Sequence, residues 1–271
     1  MTTMTAPRRA THVDSPHRLT FPRLLRGEWV KLATLRSTWW SIGIAAALTV
    51  GIALLVAGAI GAEPGFEPIR AVTSPFQFTM LVAGILGAIA VTGEYSTGMI
   101  RSTFAAQPVR GAVLAAKAIV VALLMAVSSL VIFFGAALTV TPVFAGRDIA
   151  FGWDDPAASV LPILIASASM AAFALIGLIF GFLLRSGAGA IAATVGLLFV
   201  LPLILNLFAV VGAGWEWIAT IAAHLPVMAA QSAILPQDGM GVSQGEGALT
   251  LMAWIVAGLL GAWAVLRSRD A

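Results

Sequence analysis

Six runs in this chain are apolar for close to the length a helix needs to cross a bilayer. They constrain the fold more than any single motif. Crossing the hydrocarbon takes roughly 20 helical residues. The runs are Thr38–Ile60, Phe76–Val91, Val113–Val140, Ser159–Leu184, Ala188–Val211 and Ala248–Leu266. Lipid offers the backbone no hydrogen bonds, so the spanning form is a helix, which satisfies its own N–H and C=O groups. The short alternating segments of a membrane β-barrel are absent. The expectation is an all-α membrane protein with six transmembrane helices. Composition agrees: 10% of residues are charged, against about 25% in soluble domains. A weaker apolar segment, Trp215–Ile234, carries Glu216, His224 and Pro226 and is read as external or re-entrant. If it spanned, the count would be seven.

Charge sets the expected orientation. With six spans, thirteen of the fifteen basic residues share one side, and Arg70 and Arg147 lie opposite. Positive charge accumulates on the cytoplasmic side of membrane proteins. The reading is therefore a multi-pass protein of the plasma membrane with both termini cytoplasmic. The sequence pI near 10.2 then reflects orientation rather than nucleic-acid binding. Two parts are expected: a disordered cytoplasmic tail over 1–20, rich in Thr, Pro, Arg and His, and a single membrane domain over 21–271.

Between tail and first span, Leu25, Trp29, Leu32, Leu35 and Trp39 recur at helical spacing. Arg23, Arg26 and Lys31 fall largely on other faces. This is the pattern of an amphipathic helix lying in the membrane interface, with Arg26, Glu28, Trp29 and Lys31 as its characteristic residues.

Several chemistries are excluded or disfavoured. The chain has no cysteine, so disulfides and thiolate sites are ruled out. It has no GxxxxGK[ST] phosphate loop, no HExxH zinc helix and no GxSxG elbow. His12 and His17 fall in the tail, and His224 stands beside Pro226. The spans hold no ionisable residue at mid-depth, the usual mark of a proton path. Asn206, within Leu-Pro-Leu-Ile-Leu-Asn-Leu-Phe, is the polar group expected inside a span, with an interhelical hydrogen bond as its role. Pro202 is expected to kink that helix. No catalytic residue, metal site or cofactor is assigned to this chain.

The polar interruption Gly93–Phe104, continuing to Pro108, Arg110 and Lys117, separates the second and third spans. Ser96 is placed to cap a short helix starting near Thr97, with Glu94 close to its positive end. Met99, Ile100 and Phe104 supply an apolar face, and Arg101 is read as facing water. Pro108 suits the start of the next helix, which puts Arg110 and Lys117 near lipid phosphates. A short echo links Leu35-Arg36-Ser37-Thr38-Trp39 to Ile100-Arg101-Ser102-Thr103-Phe104, each following a Glu by seven or eight residues.

Glu94, Gly98, Ile100-Arg101, Pro108, Arg110 and Lys117, with Glu28-Trp29-Val30-Lys31-Leu32 ahead of the first span, resemble the type-2 ABC transporter permeases. The resemblance implies a membrane subunit, working as a homodimer or paired permease, that exports a hydrophobic or amphipathic cargo. It implies a separate ABC ATP-binding subunit, which would hold ATP and Mg. That subunit would dock on a coupling helix whose contact residues are Glu94, Gly98, Arg101, Phe104, Pro108 and Arg110. The competing readings are a secondary transporter and a non-transporting scaffold or sensor subunit.

Overall fold

The structure, a computed structural model, describes residues 20–59, 66–211, 216–235 and 242–268. The tail expected over 1–20 lies outside them except for Thr20. Every regular element among the described residues is helical. Six helical segments are long and apolar enough to cross a membrane, so the chain is an all-α membrane protein.

Helix α1 (Phe21–Thr34) opens with Pro22 in its first turn, where a missing N–H costs nothing. Leu35 is extended and breaks the path before α2 (Arg36–Ala59). Trp39 Nε1 donates to Ala33 O at 2.8 Å and braces that corner. Helix α3 (Pro68–Thr73) leads through Ser74 and Pro75 into α4 (Phe76–Ser96), and the two read together as one 29-residue span. That span starts earlier and ends later than the apolar run alone implied.

The interruption is correspondingly shorter. Only Thr97 and Gly98 separate α4 from α5 (Met99–Ala106). Gly98 has φ of 72°, a left-handed conformation that glycine adopts without a Cβ penalty. Ser96 does not cap α5; its hydroxyl donates back to Gly93 O at 3.0 Å. Pro108 does not start the next helix either. It sits in the linker, and α6 begins at Arg110 and runs to Ala145. At 36 residues, α6 is about 54 Å long, well beyond the ~30 Å of the hydrocarbon.

Helix α7 (Pro156–Leu184) is capped by Asp155, which accepts from Ala157 N and Ala158 N at 3.0 and 3.3 Å. It ends at Arg185, itself left-handed at φ 53°. Next come α8 (Gly187–Val195), a π-helical turn over Gly196–Val200, and α9 (Leu201–Val211). At the position where a kink is expected from Pro202, the helix widens: the π-helical turn ends two residues before a residue with no N–H to donate. The Trp215–Ile234 segment resolves into α10 (Glu216–Ala223) and α11 (Pro226–Ile234), bent by 71° across His224 and Leu225. Helix α12 (Gln244–Ser268) completes the bundle.

Helices α4 and α7 form the centre and pack backbone to backbone. A Cβ built on Gly87 would fall 1.8 Å from Ala174 O, and one on Gly177 would fall 1.8 Å from Gly84 O. With little hydrophobic driving force between helices in lipid, small residues that permit such approach are what hold spans together. Ser129 and Ser167 sit in the neighbouring α6–α7 contact, where Ser129 Oγ reaches Ser167 O at 3.4 Å. Helices α2, α9 and α12 are peripheral and carry half of the exposed Trp, Leu and Phe side chains among the described residues.

Arg147 closes one end of the bundle by donating to Ala57 O and Gly58 O, carbonyls in the last turn of α2. At the other end Arg110 Nη1 donates to Leu266 O at 2.8 Å in the last turn of α12. Both arginines answer carbonyls that a helix C-terminus leaves unpaired. The second end also gathers Arg23, Arg26, Arg36, Arg101, Arg185 and Arg267, and is called the basic end below.

Candidate functional site

Four ionisable side chains from three helices converge inside the basic end. Glu28 and Lys31 come from α1, Glu94 from the last turns of α4 and Lys117 from the second turn of α6. Glu28, Glu94 and Lys117 are buried, and the Lys31 side chain is 28% exposed. The face that α1 turns inward is thus Leu24, Glu28 and Leu32. It shares only Leu32, and the half-buried Leu25 at its edge, with the Leu25/Trp29/Leu32/Leu35/Trp39 stripe that periodicity picks out, since Trp29, Leu35 and Trp39 are exposed. Trp29 and Arg26 lie on the outer surface of α1.

The hydrogen bonding is nearly saturated. Lys117 Nζ donates to Glu28 Oε2 at 2.5 Å, Glu94 Oε1 at 2.8 Å and Ala90 O at 3.4 Å. Lys31 Nζ donates to Glu28 Oε1 at 2.7 Å, Glu94 Oε1 at 3.0 Å and Thr103 Oγ1 at 3.3 Å. Each ammonium has three N–H groups, and each finds three acceptors. Two lysines and two glutamates cancel in formal charge. Glu94 is the asymmetric member: Oε1 takes both lysines, while Oε2 is buried with no hydrogen-bond partner.

Burial alone would push the Glu28 carboxyl upward. The Lys117 charge and hydrogen bond, aided by Lys31, outweigh it and hold Glu28 below the usual carboxylate range. For Lys31 burial acts downward, and the bonds and charges of Glu28 and Glu94 outweigh it, raising the ammonium above its ordinary value. Both groups stay charged across the physiological range.

The cluster meets α5 through Thr103. Ile100 and Phe104 are buried beneath α5, whereas Met99 is 43% exposed and so does not share their face. The Arg110 guanidinium lies 5.6 Å from the Phe104 ring centroid. Of the residues expected to meet a partner, Glu94 and Phe104 turn into the bundle, Arg110 is half-buried, and Gly98, Arg101 and Pro108 are exposed. Lys117 is not at the lipid phosphates; Glu28 and Glu94 draw it inside. Asn206 makes its hydrogen bond within its own helix, Nδ2 donating to Pro202 O at 2.9 Å, rather than between helices.

The convergence of Glu28, Lys31, Glu94 and Lys117 is what sequence reasoning missed. Its signals were available: the chain's only two lysines, a Glu three residues before one of them, and the echo that places a Glu ahead of each Arg-Ser-Thr-aromatic run. Both carboxylates are engaged by lysine. Among the described residues no group of three His, Asp or Glu side chains could hold a metal. Chemically, the arrangement acts as a neutral rivet. It fixes α1, α4 and α6 to one another and touches α5 on the way. No known protein family and no curated protein matches the chain.

Proposed function

We propose that this chain is the membrane subunit of an ATP-driven transporter of the ABC type, with α5 as its coupling helix and the basic end cytoplasmic. One observation carries the reading. Helix α5 is a short helix held between two spans. Its inner residues, Ile100 and Phe104, are buried in the bundle, and its outer residues, Met99, Arg101 and Ser102, are exposed. A partner pressing on the outer side displaces Thr103 and Phe104. Through Lys31 and Arg110 it displaces α1 and α6. The positive-inside rule supports the orientation. The motor belongs to a separate polypeptide, since this chain lacks the phosphate loop. The cargo class that suits the apolar spans is hydrophobic or amphipathic.

The absence of native cysteine makes the test direct. A Ser102→Cys variant carrying a photo-cross-linker is irradiated in cells. The expected adduct is a protein with a GxxxxGK[ST] loop, and it is absent when Trp153→Cys, at the opposite end, carries the same reagent. Equal labelling from both positions, or no nucleotide-binding adduct from Ser102→Cys, contradicts the proposal.

A further inference from the structure

At the end opposite the ion cluster, a cavity of about 430 Å³ opens between the α3–α4 junction and α11. Gln77 and Glu94 lie on the same helix 17 residues apart, so the cavity is about 26 Å from the cluster, close to a bilayer thickness. Its polar lining is Arg70, Thr73, Ser74, Gln77 and Gln231, and its apolar lining includes Phe76 and Ile234.

The hydrogen-bonding state of these groups is informative. Arg70 Nε donates to Glu67 Oε2 at 3.0 Å. Its terminal nitrogens have no protein acceptor among the described residues. The Thr73 and Ser74 hydroxyls donate to carbonyls of their own helix, Thr73 to Ile69 O and Ser74 to Ala71 O, which leaves their oxygens as acceptors. The side-chain amides of Gln77 and Gln231, on two different helices, make no hydrogen bond to protein among the described residues. Each amide offers donors and an acceptor. Glu67 offsets the Arg70 charge.

The geometry points to a binding site for a neutral, hydroxyl-rich group such as a sugar ring. A hydroxyl is both donor and acceptor, and the lining offers both. A free anion would meet Glu67 beside Arg70, and a cation would meet the guanidinium. Pockets of this size that set a few placed polar groups against an apolar wall are typical of small-ligand sites. The inference is independent of the ATP-driven reading, and its test contains no nucleotide.

The full chain is placed in lipid nanodiscs and titrated with maltose, inorganic phosphate and choline chloride, followed by saturation-transfer difference NMR. Saturable maltose binding is expected, tighter than either ion. It weakens by about tenfold in Gln77→Ala/Gln231→Ala, which removes two neutral hydrogen-bonding groups. It is unchanged in His224→Ala, which alters the separate groove between α10 and α12. Should the double variant not assemble, Gln231→Asn keeps the amide on a shorter stem and is expected to weaken maltose severalfold. Absence of saturable maltose binding, tighter binding of phosphate or choline, or maltose affinity that no glutamine substitution alters would overturn the assignment.

Discussion

Lys117 Nζ on α6 lies 2.5 Å from Glu28 Oε2 on α1, with both side chains almost fully buried and the two residues 89 positions apart in the chain. A helix lying outside the six spans is thereby tied to the interior of the longest one. A buried ion pair is weak evidence of net stability, but breaking one leaves an uncompensated charge in a poor solvent. The pair therefore specifies where α1 sits.

Lys117→Met is accordingly expected to destabilise the protein by about 3–5 kcal/mol, because it leaves two buried carboxylates to share the single charge of Lys31. The triple variant Glu28→Gln/Glu94→Gln/Lys117→Met removes both buried carboxylates along with the buried lysine, leaves only the part-exposed Lys31 charged, and is expected to be closer to wild type than Lys117→Met alone. Thermal unfolding in one fixed detergent, compared across the single and triple variants, reads this non-additivity.

The same cluster sets a pH window. Glu28 is held below its ordinary value of 4.5, so its contribution is present above that value and is lost as pH falls through the lower, folded-state value. Lys31 is held above its ordinary value of 10.5, so its contribution is complete below that value and is lost as pH rises through the higher one. Melting temperature should be flat between these limits as far as these two groups contribute. It should fall on the acid side below about 4.5, and Glu28→Gln should shrink that acid-side loss. An acid limb identical in wild type and Glu28→Gln would count against it.

The α4–α7 seam makes a steric prediction. Gly87→Ala or Gly177→Ala places a methyl 1.8 Å from a backbone oxygen of the facing helix, so the helices must separate. Each change is expected to cost roughly 1–3 kcal/mol or more, the range for overpacking. Gly43→Ala, with nothing within 4 Å of its Cβ, should leave the melting temperature nearly unchanged.

The spans were legible because each is a long apolar run, a property of neighbouring residues that needs no knowledge of the fold. Their ends were less so. Glu94 reads as the start of a polar loop, yet α4 carries it inward because Lys117 and Lys31 neutralise it. The charge that seems to end a span is retained by a partner that only the folded chain supplies. The inward face of α1 was not legible for the same reason: a hydrophobic stripe shows which side prefers lipid or core, Trp29 and Leu35 take the former, and Glu28 turns inward only because Lys117 meets it there. The bend between α10 and α11 was half visible in Pro226. The glycines of the α4–α7 seam carry no charge or hydropathy signal, and their role follows only from the facing backbone.

In the proposed function α5 passes force from a nucleotide-driven partner, and Arg101 isolates that role. Arg101 is exposed, so Arg101→Ala should alter stability by no more than about 0.5 kcal/mol. Glu94→Ala is a poorer probe because it also breaks the buried cluster. The decisive measurement is the ATPase rate of the cross-linked partner, reconstituted in proteoliposomes with wild-type or Arg101→Ala protein. Wild type should stimulate the rate severalfold, and Arg101→Ala should lose most of that stimulation with an unchanged melting temperature. Equal stimulation by both, or none by wild type, contradicts a coupling role for α5.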